Sequence, residues 1–248
     1  IKYIPMLFLH KLPGETPLQT INRFKQTNPE YQHRKLGYAG RLDPMAEGVL
    51  LVLVDDENKK RKEYEDLAKT YEFQVLWGVE TDSYDILGSI VKTHATTPEA
   101  IKKLPSIISS FIGEFQQPYP PYSSQPVQGK PLFWWARQGR LDEISIPEKN
   151  ISIYSIEYKE TITLQKYELQ KSIIDRIRVV RGDFRQENIT ETWKAFFEKT
   201  KQDSWYISSF IVTCSSGTYV RSLAKRLGET IKTNALAYTI KRTKIFSV

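Results

Sequence analysis

Apolar and polar positions alternate in short blocks along the chain, and the period changes from block to block. Residues Tyr3 to Leu9 form an apolar run of strand length. Thr16-Pro17 pairs an N-cap residue with proline at the first helical position, and Leu18, Ile21 and Phe24 follow at helical spacing. Asn28-Pro29 ends that helix, because the residue before proline disfavours helical geometry. Tyr31 to Lys35 is a polar link, and Gly37 to Gly48 reads as a glycine-punctuated loop. Val49 to Val54 is a continuous apolar run bounded by charge, as a strand buried on both faces requires. Glu57 to Lys69 predicts a charged helix. Tyr71, Phe73, Val75 and Trp77 then recur with period two, which predicts a strand. A further strand is expected near Ile86 to Lys92, after the acidic turn Thr81 to Asp85. Thr97-Pro98 opens a helix as Thr16-Pro17 does, and Pro105 splits it.

The second half starts with Gln117 to Pro131, rich in Pro, Tyr, Ser and Gln and read as a loop. Leu132 to Gly139 predicts a short helix with a glycine stop, and Ile151 to Tyr158 a strand. Thr161 to Asp203 has the least regular pattern. It holds the basic run Arg176 to Arg185 and a helix over Thr190 to Lys199. Trp205 to Cys214 reads as a strand, Ser215 to Thr218 as a turn, Tyr219 to Lys232 as an amphipathic helix and Ala235 to Ile245 as a last strand. Strands and helices interleave without a βαβ rhythm, and no repeat or linker divides the chain. The expected class is therefore α+β, one domain over residues 1–248 around a mixed, mostly antiparallel sheet flanked by helices and loops.

Charge sharpens this picture. Lys and Arg total 36 against 29 Asp and Glu, a net charge of +7 in 248 residues. Such a surplus suits a polyanion, and it equally suits a well-solvated basic surface. Aromatic residues make up 12% of the chain, and several adjoin lysine or arginine, as in Trp134-Trp135-Ala136-Arg137. Cations neutralise phosphate and ring faces stack on bases. One cysteine and three scattered histidines exclude a structural zinc cluster. No apolar run approaches the roughly 20 residues that span a bilayer, and no basic-then-apolar leader opens the sequence, so a cytoplasmic protein without a membrane is expected. The first residue is Ile1, which suggests that numbering starts inside the native product. Phosphate-cradling and dinucleotide-binding glycine loops are absent, as is a serine-hydrolase elbow. Catalysis, if any, would have to use carboxylate, Tyr, Lys or Arg, without an obvious cofactor.

Gly37-Tyr38-Ala39-Gly40-Arg41-Leu42-Asp43-Pro44-Met45-Ala46-Glu47-Gly48 is the segment with the strongest chemical content. Glycine permits positive φ and close approach of a ligand to the backbone. Pro44 restricts Asp43 to extended geometry, and the buried strand after it anchors the loop. A carboxylate on a stiff loop seated on a rigid strand suits nucleophilic or acid–base work. On local evidence alone, Asp43-Pro44 also reads as an ordinary turn.

Read as G-x-x-G-x-L-D-P-x-A-x-G, this segment resembles the loop of the TruB-type pseudouridine synthases. Other stretches resemble the family in the same order. They are Lys11-Leu12-Pro13-Gly14-Glu15-Thr16, Lys69-Thr70-Tyr71, Thr81 to Gly88, Pro121-Tyr122-Ser123-Ser124 with Gly129-Lys130 and Ala136-Arg137-Gln138-Gly139, and Ser216 to Leu223. The resemblance implies a pseudouridine-synthase-like sheet and an isomerase that turns a uridine of the tRNA T-loop, position 55, into pseudouridine. It places Asp43 on the catalytic aspartate and Arg221 on the arginine that pairs with it. Tyr71 falls on the tyrosine that packs against the flipped uracil. Tyr219 and Ile240 fall on the pocket lining, and Asp85 on an acidic residue near the base's polar edge. Lys11, Arg41, Lys130 and Arg137 are expected to meet phosphate, as are Lys241 and Arg242; a solvated surface role is open for each. A tRNA T stem-loop is the expected partner, with no cofactor and a monomeric enzyme.

Several features depart from the family pattern. Tyr38 stands where histidine is usual; it keeps a ring face and a hydrogen bond but loses the imidazole. Arg41 replaces a small or hydroxyl residue. Thr161 to Asp203 is longer than the corresponding region, which implies an insertion. The sequence also leaves no stretch for the C-terminal RNA-binding domain of many members, so contacts are expected to concentrate on the T-arm. Two other functions stay open here: pseudouridine synthesis on another RNA, and a non-catalytic tRNA-binding or folding factor.

Overall fold

The structure, a computed structural model, describes residues 4–246. Tyr3 at the start of the first expected strand, and the two ends of the expected 1–248 domain, lie outside the described residues. In chain order the elements are β1 (Met6–Lys11), α1 (Pro17–Thr27), β2 (Leu36–Ala39), β3 (Glu47–Val54), α2 (Arg61–Glu65), β4 (Lys69–Trp77), β5 (Val79–Thr81), β6 (Ile90–Thr93), α3 (Pro98–Lys102) and α4 (Leu104–Ile107). There follow β7 (Gly113–Pro118), β8 (Pro126–Val127), β9 (Lys130–Pro131), α5 (Leu132–Arg137), β10 (Glu148–Gln165), α6 (Lys166–Arg178), α7 (Gln186–Lys199), β11 (Ser204–Cys214), α8 (Val220–Thr230) and β12 (Ala235–Ile245).

One sheet runs β1-β3-β12-β4-β11-β10-β7, with β2 paired to β3. Every neighbour pair in it is antiparallel except β3 and β12, which meet only at Glu47–Lys241 and Gly48–Arg242. The α+β class is thus as expected, with a mixed, mostly antiparallel sheet. Side chains alternate between its two faces. On β12, Ala235, Ala237 and Ile240 pack with α8, whereas Leu236 and Tyr238 pack with α6 and α7. On β4, Val75 and Trp77 face the first side and Leu76 the second. Among the described residues, no helix is long and apolar enough to cross a membrane.

Local signals act where they were legible. Thr16 caps α1, its side chain accepting from Gln19 N–H while Gln19 bonds back to Thr16 N–H. Thr97 caps α3, and the helix breaks at Lys103 before α4.

The structure also corrects several expected boundaries. The segment from Gly37 is not all loop, because β2 extends to Ala39 along β3. The charged stretch from Glu57 forms a 3-10 turn and the short α2, and Lys69 belongs to β4. There its ammonium group caps the carbonyls of Glu65 (2.6 Å) and Leu67 (2.5 Å), which ends the helix. The strand expected from Ile86 starts only at Ile90, since the Ile86 carbonyl accepts from Trp193 Nε1 at 3.1 Å instead of joining a ladder. β7 extends to Pro118, and β8 and β9 form a small hairpin inside the expected loop. α6 went unpredicted within 161–203, although Leu169, Ile173 and Ile177 recur every four residues and are buried.

Candidate active site

The loop of residues 40–46 joins β2 to β3 and is clamped from three sides. Lys11 is fully buried, and its Nζ donates to the carbonyls of Leu12 (3.1 Å), Pro44 (3.2 Å) and Ala46 (2.5 Å). Arg242, also buried, donates from Nη2 to the Gly40 carbonyl at 3.0 Å and from Nε to the Val49 carbonyl at 2.7 Å. Gly14 N–H donates to the Pro44 carbonyl at 2.8 Å. Gly48 has φ 107°, and a Cβ there would lie 2.2 Å from the Arg242 carbonyl, so only glycine lets β3 pass β12 at this point. Leu42, Met45 and Ala46 point into the core. The backbone of Asp43 is therefore fixed by hydrogen bonds and by apolar anchors on both sides of it.

Arg221, at the start of α8, meets this loop. Its Nε donates to Asp43 Oδ2 at 2.7 Å, with side-chain exposures of 3% for Arg221 and 29% for Asp43. The arginine is sealed while one flank of the carboxylate stays open to the cleft. Nη1 donates to the Ser83 carbonyl at 2.7 Å and Nη2 to the Tyr122 carbonyl at 3.3 Å. Burial opposes the Arg221 charge, but Asp43 and Asp85 outweigh it and hold its pKa above the usual arginine value. Asp85 Oδ2 lies 3.8 Å from Arg221 Nε, and Asp85 Oδ1 accepts from Ser83 Oγ (2.7 Å) and Leu87 N–H (2.9 Å). Burial pushes the Asp85 carboxyl up to about 6, against the pull of Arg221.

Around the pair opens a cleft of about 790 Å³, whose lining includes Tyr38, Arg41, Asp43, Tyr71, Asp85, Tyr219, Arg221 and Ile240. Tyr71 and Ile240 come from the adjacent strands β4 and β12. Tyr71 pairs across the ladder with Arg242, and burial raises its pKa. The Tyr219 ring meets Tyr119 edge-on at 5.5 Å, and burial pushes its hydroxyl up to about 12. The Tyr38 hydroxyl accepts from Arg41 Nη2 at 3.2 Å, and the Arg61 guanidinium lies 5.1 Å over its ring. Tyr38 is thus flanked by two cations.

The structure corrects the expected phosphate contacts in part. Lys11 faces carbonyls in the interior and is closed to phosphate, and desolvation pushes it down to about 8; Arg242 is also buried and bonded to two carbonyls, but it borders the cleft. Lys130 is exposed on β9, 5.5 Å over the Trp134 ring and outside the cleft lining. Arg137 lines the cleft and binds Asp183 through its carboxylate (3.2 Å) and carbonyl (2.7 Å). Arg41 is exposed at the cleft. The basic run Arg176 to Arg185 is divided: Arg176 packs on Tyr238, Arg178 and Arg181 are exposed, and Arg185 pairs with Asp82. The roles of Lys69, Asp82 and Arg185 were not foreseen; no local pattern marks a lysine as a helix cap or an arginine as a clamp.

Comparison with known proteins agrees with this architecture. A family model described as "TruB family pseudouridylate synthase (N terminal domain)" matches residues 28–182. "tRNA pseudouridine synthase B" of Aquifex aeolicus is 28% identical over 239 residues, 96% of this chain and 67% of that protein. The protein of the same name from Nitratidesulfovibrio vulgaris is 31% identical over 241 residues, 96% of this chain and 62% of that protein. The one from Mycoplasma mobile is 30% identical over 242 residues, 97% of this chain and 68% of that protein. The chain thus spans about two thirds of the length of these curated relatives. Among solved structures, a chain of a Cbf5-Nop10-Gar1 complex superposes with a TM-score of 0.57 at 19% identity, over 97% of this chain and 48% of that one. That likeness speaks for the fold. With a family model matching more than half of its residues, this chain belongs to the TruB family of pseudouridylate synthases.

Proposed function

We propose that the protein isomerises uridine to pseudouridine in tRNA, at position 55 of the T-loop. The observation that carries this reading is the Asp43–Arg221 pair at 2.7 Å, with its carboxylate open to a cleft walled by Tyr71 and Ile240. The reaction breaks the bond between uracil N1 and ribose C1′ and forms one between C5 and C1′. A proton leaves C5 and one is gained at N1, so atoms and electrons balance without redox. Asp43 supplies the reactive negative charge at the ribose, and Arg221, 2.7 Å away, aims it. Uracil must leave the stacked loop to reach it, and Tyr71 offers the ring face against which the extruded base rests. Tyr219 and Ile240 exclude water, while Asp85 stands near the polar edge of the base. Tyr38 and Arg41, at the cleft mouth, meet the remodelled loop and its phosphates. The same reading makes the enzyme a cytoplasmic monomer that works without a cofactor.

The decisive experiment incubates the protein with an unmodified tRNA transcript and maps pseudouridine at nucleotide resolution. Wild type is expected to modify the single T-loop site. Asp43→Asn, which keeps volume and removes charge, is expected to abolish the product while RNA affinity stays within about tenfold, ~1.4 kcal/mol. Turnover retained in that variant would make Asp43 a turn residue. No product on the tRNA transcript, with product on another RNA, would select the other-RNA reading.

A further inference from the structure

The loop joining α6 to α7 borders the cleft and ends in Arg185. The backbone of Arg185 lies in the left-handed region, φ 63°, where arginine is costlier than glycine. The loop is nevertheless held firmly. Gln186 Nε2 donates to the carbonyls of Val180 (3.1 Å) and Gly182 (2.6 Å), and Arg181 N–H donates to the Gly14 carbonyl at 3.1 Å. From this mount the Arg185 side chain reaches Asp82 with both forks, Nη1 to Oδ2 at 2.9 Å and Nη2 to Oδ1 at 3.2 Å. Its guanidinium also lies 4.1 Å over the Tyr122 ring, and the Tyr122 hydroxyl donates to Asp82 Oδ2 at 3.2 Å. The three side chains form one cluster, in which the ion pair is about three-quarters shielded from solvent.

Both segments held by Arg185 touch the catalytic arginine from behind. Tyr122 offers its carbonyl to Arg221 Nη2. Ser83, next to Asp82, offers its carbonyl to Arg221 Nη1 and its hydroxyl to Asp85. These contacts occupy the two outer nitrogens of Arg221 and leave Nε facing Asp43. We propose that Arg185 is a positioning residue for the Asp43–Arg221 pair. By gripping Asp82 and stacking on Tyr122, it fixes the two backbone segments whose carbonyls aim Arg221. The α6–α7 hairpin thereby becomes a support of the reacting centre. This inference rests on the pseudouridine-synthase reading. Its rival is that Arg185 contacts RNA phosphate directly, since it borders the cleft.

The test compares Arg185→Gln, Arg185→Lys, Asp82→Asn and the Arg185→Gln/Asp82→Asn double variant on a T stem-loop transcript. It measures single-turnover rate, RNA Kd and the position of Arg221 in crystals. Positioning requires that Arg185→Gln and Asp82→Asn each slow the single-turnover step tenfold or more, with Kd within threefold. The double variant should be no slower than the slower single, because both remove one contact. Arg185→Lys should stay slow, since an ammonium cannot form the bidentate grip. Crystals of Arg185→Gln should show Arg221 parted from the Ser83 or Tyr122 carbonyl. A wild-type rate in Arg185→Gln overturns the proposal, as does a loss confined to Kd or losses that multiply in the double variant. If Arg185→Gln does not fold, Asp82→Asn breaks the same grip from the other side and is read by the same criteria. If the wild type forms no pseudouridine, the functional reading fails; the crystals then decide separately, and an unmoved Arg221 overturns the positioning role.

Discussion

The Asp43 loop and the α6–α7 hairpin flank the same cleft and are held in opposite ways. The loop is held by buried charge. Lys11 and Arg242 spend their donors on backbone carbonyls, and Arg221 ties the loop to α8. The helices of the hairpin, as distinct from the loop that joins them, are held by volume: Trp193, Phe197 and Trp205 interlock at ring distances of 5.5–5.9 Å, all essentially without exposure. Directional bonds hold a backbone to within a fraction of an ångström, which a reacting carboxylate needs, but desolvation cancels much of their energy. Apolar packing contributes more stability and sets direction less closely. Where one site needs both, the fold gives the carboxylate to the charged side and the bulk to the aromatic side.

The contrast breaks most visibly in Phe197→Ala. Truncating that ring is expected to cost about 4 kcal/mol. Urea denaturation should show the loss, while the isomerisation rate of the folded enzyme stays within about threefold. A large rate loss with unchanged stability would reverse the roles assigned to the two regions.

The electrostatics offer a second test. The Asp85 carboxyl titrates at about 6 in the folded protein and near 3.9 unfolded, a difference of about 3 kcal/mol. Because the folded state holds this proton more tightly, its contribution to stability is full below pH ~4 and is lost as pH rises through about 6. Asp85→Asn removes that slope. The stability of wild type minus that of the variant should therefore fall by about 3 kcal/mol between pH 4 and pH 7. A flat difference would place the Asp85 proton elsewhere.

Lys11→Met tests the charged side alone. It removes three carbonyl contacts, yet it also removes a buried ammonium whose pKa is pushed down to about 8. The two effects oppose each other, and the net stability loss is expected to stay below about 2 kcal/mol. Isomerisation should fall at least tenfold, because the Pro44 and Ala46 carbonyls lose their anchor. An unchanged rate would show that Arg242 and Gly14 hold the loop unaided.

A last test concerns the shared cleft wall and changes affinity alone. Tyr71→Leu should weaken RNA binding by roughly 1–3 kcal/mol through lost stacking, and Tyr71→Phe should not. Equal affinities in both variants would remove the ring face from base recognition.

What the sequence by itself determined is local. Thr16 with Pro17 and Thr97 with Pro98 marked helix starts, since a cap and its N–H partners lie within one turn. Ala235 to Ile245 was legible as β12 at both ends. The pattern at Leu169, Ile173 and Ile177 was present too, but the charged residues between them hid α6. Tertiary structure decided the rest. Asp43 and Arg221 are 178 positions apart, and only the resemblance paired them in advance. Nothing local distinguishes Lys11, whose ammonium ends on carbonyls in the interior, from Arg41, which stays at the surface. A cation's role follows from what its charge meets once water is removed, and that is set by chain segments that become neighbours only when the sheet closes.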